Sequence, residues 1–280
     1  MNYDRRVGMN IDVLLLIACI PIILMCAYIY NEDKDKEPFK ILRKLFLYGV
    51  LSIIPIIILE LITARVAIYD SRNIISLFIN TFVTVGIIEE GTKWVVVNKA
   101  SYNDIEFNHA YDAIIYCVFV SLGFALVENI FYLIDEDISI GVLRGITTIP
   151  AHTFNAIVMG YFLGKSKQED INKNEDMAKK YMFLSLLAPI LCHTLYDFLI
   201  FRQTTSSSLL FIAFVVIMYV VSIVIVRKVS IIKKNFDGSK YDTKERSKFN
   251  SESDLFIDAL IKVLIVTLIL IAISAIILFI

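Results

Sequence analysis

Two glutamates and a lysine interrupt an apolar stretch of this sequence. The stretch covers residues 74–97 and contains Glu89, Glu90 and Lys93. Moving a carboxylate to the centre of a lipid bilayer costs on the order of 3 kcal/mol, so an ionisable residue in such a stretch is a functional candidate by default. On an α-helix, at ~100° per residue, Lys93 lies one turn further on and between the two acids. The alternative without chemistry is a buried structural ion pair, or a lysine that reaches the membrane interface.

Other apolar stretches carry further acids and two of the three histidines. A lone histidine on an apolar helix is more often a core residue than a ligand. Several polar groups in one small bundle are harder to explain as core residues, because each must find a partner or stay neutral where water is absent. Two of these groups, His193 and Asp197, are one helical turn apart. The additional candidates are Glu128, His152, His193 and Asp197.

Two kinds of hydrolytic site can be built from these side chains. Two histidines and a carboxylate form a common catalytic zinc site with one open position, and another carboxylate can take a proton from the bound water. Without a metal, a carboxylate and a histidine can orient and deprotonate the water while other donors stabilise the oxyanion. The sequence contains no His-Glu-x-x-His, Gly-x-Gly-Asp or Gly-x-Ser-x-Gly motif, so those protease designs are excluded.

The composition indicates that membrane helices position these residues. The 280 residues are 58% hydrophobic and the mean hydropathy is +0.71, which predicts an all-α fold, a polytopic transmembrane helical bundle. A net charge of -1, with basic residues spread over short links, excludes nucleic acid as a partner. The four cysteines lie in apolar stretches, so we expect core packing and no disulfides.

The hydropathy pattern predicts about eight transmembrane helices in a single membrane domain of residues 1–280. Helix five is short and begins beside Pro150. A charged link follows helix one, and residues 227–254 form a charged loop before the last helix. The predicted helices cover residues 11–30, 45–63, 74–97, 111–134, 149–164, 181–201, 209–226 and 255–280.

The distribution of basic residues predicts how the helices cross the membrane. Most of the 27 lysines and arginines lie in links that follow odd-numbered helices. Cytoplasmic loops carry such an excess, so we expect both termini on the extracytoplasmic side. Helical rise then places Glu89, Glu128 and His193 in the middle to outer half of the bilayer, with His152 near the outer start of helix five.

Four lesser polar residues have simpler explanations. Asp112 is expected to cap the start of helix four, and Glu60 is expected at a membrane interface. His109 is expected in solvent, in the link before helix four. Arg144 lies in a predicted outer link, where it could bind substrate or a lipid headgroup, or simply reach the interface.

Several short motifs follow one another between residues 33 and 200. They are Asp35-Lys36-Glu37-Pro38-Phe39, Glu89-Glu90-x-x-Lys93, Tyr111-Asp112, Gly123-Phe124-Ala125-x-x-Glu128-Asn129, Arg144, Pro150-Ala151-His152 and His193-x-x-x-Asp197. No single motif is specific, but the ordered set resembles the PrsW-type intramembrane protease family, which is related to the CAAX prenyl protease group. One departure is Ala113, where the family pattern has glycine.

The resemblance implies a function and a set of essential residues. The function is that of a bacterial inner-membrane protease that makes the first, extracytoplasmic-side (site-1) cut in a membrane-anchored anti-sigma factor of a stress response. The essential residues would be Glu89, Glu90, His152 and His193, with Glu128 at the position that the CAAX relatives fill with a histidine.

Roles can be assigned on this basis. Glu89 is the predicted general base. His152 and His193, with either Glu90 or Glu128, are the predicted metal ligands or water-orienting groups. Zinc is the candidate metal, and His152, His193 and Glu128 are its candidate ligand set.

Two further residues are expected to support the catalytic groups, and two other functions remain as alternatives to a protease. Lys93 is expected to keep one acid ionised, and Asp197 to orient His193. A proton- or cation-coupled transporter or sensor could use the same buried acids and histidines, although no paired halves are visible in the sequence. A noncatalytic scaffold on a protease-like bundle is a third hypothesis, which a missing acid or histidine would have favoured.

Overall fold

The computed structural model describes residues 11–33, 35–66, 73–134, 136–232 and 236. Within these ranges all regular structure is helical, which confirms the predicted all-α class. A π-helical segment, Phe82–Glu90, joins α3 to α4 without a break. The α-helices are α1 (Ile11–Glu32), α2 (Phe39–Val66), α3 (Ile74–Thr81), α4 (Gly91–Ser101), α5 (Ala110–Leu133), α6 (Ile138–Ile146), α7 (Thr148–Ile171), α8 (Glu175–Phe201) and α9 (Thr205–Ser230).

In the described ranges, six helical units are long and apolar enough to cross a membrane. They are α1, α2, the continuous unit Ile74–Ser101, α5, α8 and α9. Seven of the eight predicted spans fall in this part of the chain, and six of these seven meet the criterion. Predicted helix five corresponds to α7, which is too polar to meet the same criterion, and predicted helix eight lies outside the described residues.

Helices α5 and α7 form the centre of the bundle. Almost every residue from Ile149 to Ser166 of α7 is buried, and so is the first two-thirds of α5. Small residues allow close backbone contact here, because a Cβ atom at Gly123 of α5 would overlap the Phe46 carbonyl oxygen of α2. Membrane helices commonly associate through such small residues, since lipid provides no hydrophobic driving force between them.

Helix α7 is longer than predicted. It continues to Ile171, and Lys165 and Lys167, which were expected in a link, lie inside the helix. The Lys165 ammonium lies 4.9 Å from the centre of the Tyr181 ring, and Lys167 donates a 2.8 Å hydrogen bond to the Tyr102 carbonyl. The predicted end of this helix at residue 164 was wrong. The helix continues past the apolar stretch because residues of neighbouring elements bind both ammonium groups.

The start of α5 is tied to the end of α9. His109 accepts a hydrogen bond from the Tyr111 amide on Nδ1, and its Nε2 contacts the Ile232 carbonyl oxygen. The prediction of a solvated His109 was therefore wrong, and its burial lowers its pKa. The capping role of Asp112 is confirmed, since its Oδ2 accepts hydrogen bonds from the amides of His109 (2.6 Å) and Asn108 (3.0 Å).

The charged link between α1 and α2 is partly docked onto α5. The Tyr116 hydroxyl donates a 2.5 Å hydrogen bond to Glu37, and the Glu37 amide donates to Asp33 at 3.2 Å. Burial raises the pKa of Glu37 to about 7. This contact fixes the start of α2, the helix that forms one wall of the cavity described below.

Candidate active site

The predicted acid pair lies at the end of the π-helical segment. π-Helical turns are rare and are often found at functional sites. A Cβ atom at Gly86 in this segment would overlap the Thr194 hydroxyl and lie 3.0 Å from the Ile190 carbonyl oxygen. The absence of a side chain at Gly86 therefore lets the segment approach α8 closely. The next turn brings Glu89 and Glu90 towards His193, the neighbour of Thr194.

Lys93 binds both glutamates, as the helical spacing predicts. Its ammonium donates hydrogen bonds to Glu89 Oε2 at 3.0 Å and to Glu90 Oε1 at 2.8 Å. The same ammonium lies 4.1 Å from the centre of the Phe124 ring, on its face. All three charged side chains are buried. Two carboxylates and one ammonium leave this group with one excess negative charge if all three are ionised.

His193 connects α8 to the acid pair. Its Nδ1 lies 2.8 Å from Glu90 Oε1 and 3.9 Å from Glu89 Oε2. A hydrogen bond to the Glu90 carboxylate requires a proton on Nδ1, which leaves Nε2 available in the neutral ring. On the other side, Asp197 Oδ2 lies 3.6 Å from Nε2. Asp197 therefore lies beside His193, as the one-turn spacing predicts, but outside hydrogen-bond distance.

His152 connects α7 to the same group. Its Nε2 lies 2.9 Å from Glu128 Oε2, and its Nδ1 lies 3.5 Å from the Lys93 ammonium. The neutral tautomer with the proton on Nε2 satisfies both contacts, because Nδ1 then faces Lys93 as an acceptor. The rings of His152 and His193 meet edge to face, with their centres 5.2 Å apart. Four elements that are distant in sequence thus converge at one point.

A cavity of about 350 Å³ opens beside these side chains. Its walls come from α2, the π-helical segment, α5, α6, α7 and α8. Glu60, which was expected at a membrane interface, is a wall residue, and the sequence offered no signal for this placement beyond its acidic type. The polar wall residues include Glu60, Glu89, Glu128, His152, His193 and Asp197.

A metal ion suits part of this arrangement. One ligand atom from each of Glu89, Glu90, His152 and His193 lies within 4.8 Å of the others. The Oε2 atom of Glu90 is buried without a hydrogen-bond partner, so this donor is available. Two imidazoles and carboxylates are a donor set that zinc accepts. Glu128, part of the candidate ligand set, lies behind His152 and outside this group.

Arg144 lies in a short helix, α6, which was not predicted from the sequence. Helix α6 was assigned to an outer link because it is too short to cross a membrane, although the apolar residues of segment 138–146 were visible. Arg144 is not free to reach solvent, because its Nε donates a 2.8 Å hydrogen bond to Asn129 Oδ1. Its Nη2 lies 3.4 Å from Glu128 Oε2. Arg144 therefore belongs to the cavity wall.

Comparisons with known proteins identify the family of this chain. Residues 37–226 match the sequence model of a protein family that is described as PrsW family intramembrane metalloprotease. This range contains every predicted site residue. Protease PrsW of Oceanobacillus iheyensis is 34% identical over 203 residues, which cover 72% of this chain and 89% of the relative. Protease PrsW of Clostridioides difficile is 34% identical over 220 residues, covering 77% and 90%.

Protease PrsW of Bacillus subtilis is 32% identical over 182 residues, covering 64% of this chain and 79% of the relative. No solved structure matches the chain significantly. The family match spans more than half of the chain, and the relatives are matched over most of their length. The chain therefore belongs to the PrsW family of intramembrane metalloproteases.

Proposed function

We propose that this protease makes the first, extracytoplasmic-side cut in a single-pass membrane anti-sigma factor and so starts the release of a stress-response sigma factor. Because the chain belongs to a protease family, hydrolysis is favoured over the alternative of a proton- or cation-coupled transporter or sensor. The main support for a hydrolytic site is that buried and half-buried acids and imidazoles from α5, α7, α8 and the π-helical segment face one cavity. The substrate assignment is supported by the motif resemblance.

The two neighbouring glutamates have different surroundings, which supports different roles. Glu89 lines the cavity, so it can reach a water molecule there. Glu90 is fully buried and is held by His193 and Lys93. Glu89 is therefore the general base in the proposed mechanism, and Glu90 holds His193 in position. This division also leaves Glu89 in its 3.0 Å ion pair with Lys93.

The proposed reaction is hydrolysis of one peptide bond. A water oxygen forms a bond to the scissile carbonyl carbon, and Glu89 takes the proton that the water loses. The carbon–nitrogen bond then breaks, and Glu89 returns the proton to the leaving amine nitrogen. His193 and Asp197 lie on the wall beside Glu89, where they can orient the water or stabilise the charge on the carbonyl oxygen.

The proposal includes a metal ion. His152 and His193, with Glu90 or Glu128 as the carboxylate, would hold it; the distances favour Glu90. A bound zinc ion would acidify a water molecule and polarise the scissile carbonyl. The chain's own contribution is to fix both imidazoles. Glu128 binds Nε2 of His152, as carboxylates behind metal-binding histidines often do, and Glu90 Oε1 binds Nδ1 of His193.

The position of the cavity supports a cut near the outer face. Its wall includes Thr148 at the start of α7 and Phe201 at the end of α8. With both termini placed outside, in the inner membrane of a bacterium, these two helix ends face the extracytoplasmic side. A peptide segment that enters from that side would reach Glu89 by way of the cavity.

The proposal is tested by coexpression with an epitope-tagged anti-sigma factor in bacterial membranes. Glu89→Gln and His193→Ala should each reduce the initial rate of cleavage by at least ~10²-fold, because general acid–base catalysis contributes about that much. Glu175→Gln is the matched control, since Glu175 is exposed on α8 and binds only Lys179 among the described contacts. Normal cleavage by correctly inserted Glu89→Gln and His193→Ala variants would contradict the proposal.

A further inference from the structure

Arg144 has contacts that interfacial placement does not explain. Its guanidinium carbon lies 4.0 Å from the centre of the Tyr132 ring, over the ring face. Its Nε is hydrogen-bonded to Asn129, and only 15% of its side chain is exposed. An arginine that simply reaches the membrane interface would keep its head group in water. Here Asn129 and Tyr132, both on α5, hold the guanidinium over the end of the helix that carries Glu128.

The guanidinium also acts on a residue of the proposed site. Arg144 Nη2 is 3.4 Å from Glu128 Oε2, and the same oxygen is 2.9 Å from His152 Nε2. Nη2 is buried and has no hydrogen-bond partner, so its interaction with Glu128 is an ion pair without a hydrogen bond. One carboxylate oxygen is thus shared by a permanent cation and by the imidazole. The cation and the imidazole come from different helices, α6 and α7.

We propose that Arg144 is a positioning residue of the protease, and this inference rests on the proposed function. It fixes the Glu128 carboxylate, and Glu128 in turn fixes the ring of His152 with its Nδ1 directed at Lys93. Arg144 therefore acts through Glu128 and does not contact the reacting atoms. Helix α6, although too short to span the membrane, is needed because it supplies the cation.

The test compares Arg144→Gln, Arg144→Lys and the control Arg202→Gln, which removes an arginine at the end of α8. Arg144→Gln should lower kcat by ~10- to 100-fold, the usual cost of losing a group behind a metal-binding or catalytic histidine, with KM changed less than about twofold. Arg144→Lys should recover part of kcat because it keeps the charge. Arg202→Gln should behave like the wild type. A wild-type kcat for Arg144→Gln would overturn the inference.

A double-mutant cycle separates positioning from general stability. If Arg144 acts through Glu128, adding Arg144→Gln to Glu128→Gln should lower kcat less than about threefold further. An equal loss in both backgrounds would overturn the inference, since it would show an effect independent of Glu128. Single-turnover assays extend the measurement to slow variants.

The same cycle measured on Tm in detergent does not depend on activity. The sum of the Tm losses of the two single variants should exceed the Tm loss of the double variant, because the ion pair can be removed only once. Additive Tm losses would overturn the inference even if the variants are too slow to assay. If the Tm changes are coupled but the wild type cleaves no anti-sigma factor, the proposed function fails and the Arg144–Glu128–His152 arrangement stands.

Discussion

At the scale of single residues, we propose that Lys93 balances the charge of the Glu89–Glu90 pair, since its ammonium forms an ion pair with both carboxylates. It is the described cation closest to the acid pair, and it is 1% exposed. Two adjacent buried carboxylates without a cation would repel one another and lose the favourable ion pairs. Removing one partner of a buried ion pair is costly because it leaves an uncompensated buried charge.

We expect Lys93→Met to destabilise the protein by ~3–5 kcal/mol, the usual cost of breaking a buried ion pair, and to abolish cleavage. The double variant Glu90→Gln/Lys93→Met restores the charge balance, so its Tm should recover part of this loss while cleavage stays absent. The measurement is thermal unfolding in detergent together with the cleavage assay. Lys179→Met, which removes a largely exposed ion pair, should leave both unchanged. A normal Tm for Lys93→Met would contradict the expected charge effect.

The π-helical segment is the element that places the acid pair. A regular α-helix over residues 82–90 would turn each successive side chain by a larger angle, and Glu89 and Glu90 would face other directions. Contact with α8 through Gly86 holds the segment where Glu90 reaches His193. The position of the two proposed catalytic carboxylates therefore depends on a backbone contact as well as on side-chain type.

A side chain at position 86 should disturb this contact. Gly86→Val should lower the rate of cleavage by at least ~10-fold. The added side chain pushes the segment away from α8, and small displacements of catalytic groups such as the proposed base Glu89 reduce the rate strongly. Gly91→Ala is the matched control: apart from its chain neighbours and its own helix backbone, no atom lies within 4 Å of the added Cβ, and alanine favours helix over glycine by about 1 kcal/mol. Its activity should stay normal and its Tm should not fall. Equal behaviour of the two variants would show that the contact is unimportant.

At the scale of the whole molecule, the orientation in the membrane decides which side supplies the substrate. The cavity includes residues from α6 and from the start of α7, whereas the turn between α7 and α8 lies at the opposite end of α7. A substrate cut on the extracytoplasmic side requires that α6 faces outward. The excess of lysine and arginine in the opposite links predicts this orientation.

Single cysteines test the orientation. In a background where Cys19, Cys26, Cys117 and Cys192 are replaced, Ser139→Cys on α6 should react in intact cells with a thiol reagent that does not cross the inner membrane. Asn172→Cys, between α7 and α8, should react only after the membrane is opened. Both positions are exposed, so unequal reaction reports the side of the membrane. The reverse pattern would contradict the proposed site of cleavage.

The sequence by itself determined the helical class, most span positions and the set of ionisable residues in the membrane. These follow from local properties: apolar length, the cost of burying charge, and spacing within one helix, which places Lys93 beside both glutamates. The order of motifs also pointed to the protease family, which the family match confirms.

Only the tertiary structure decided which groups pair across helices. Glu90 binds His193 and Glu128 binds His152, and both pairs join residues far apart in the chain. The π-helical segment, the position of Glu60 in the cavity and the contact of α6 with Glu128 likewise depend on neighbouring helices. Hydropathy and helical periodicity describe one helix at a time, so they cannot specify how helices rotate and approach one another.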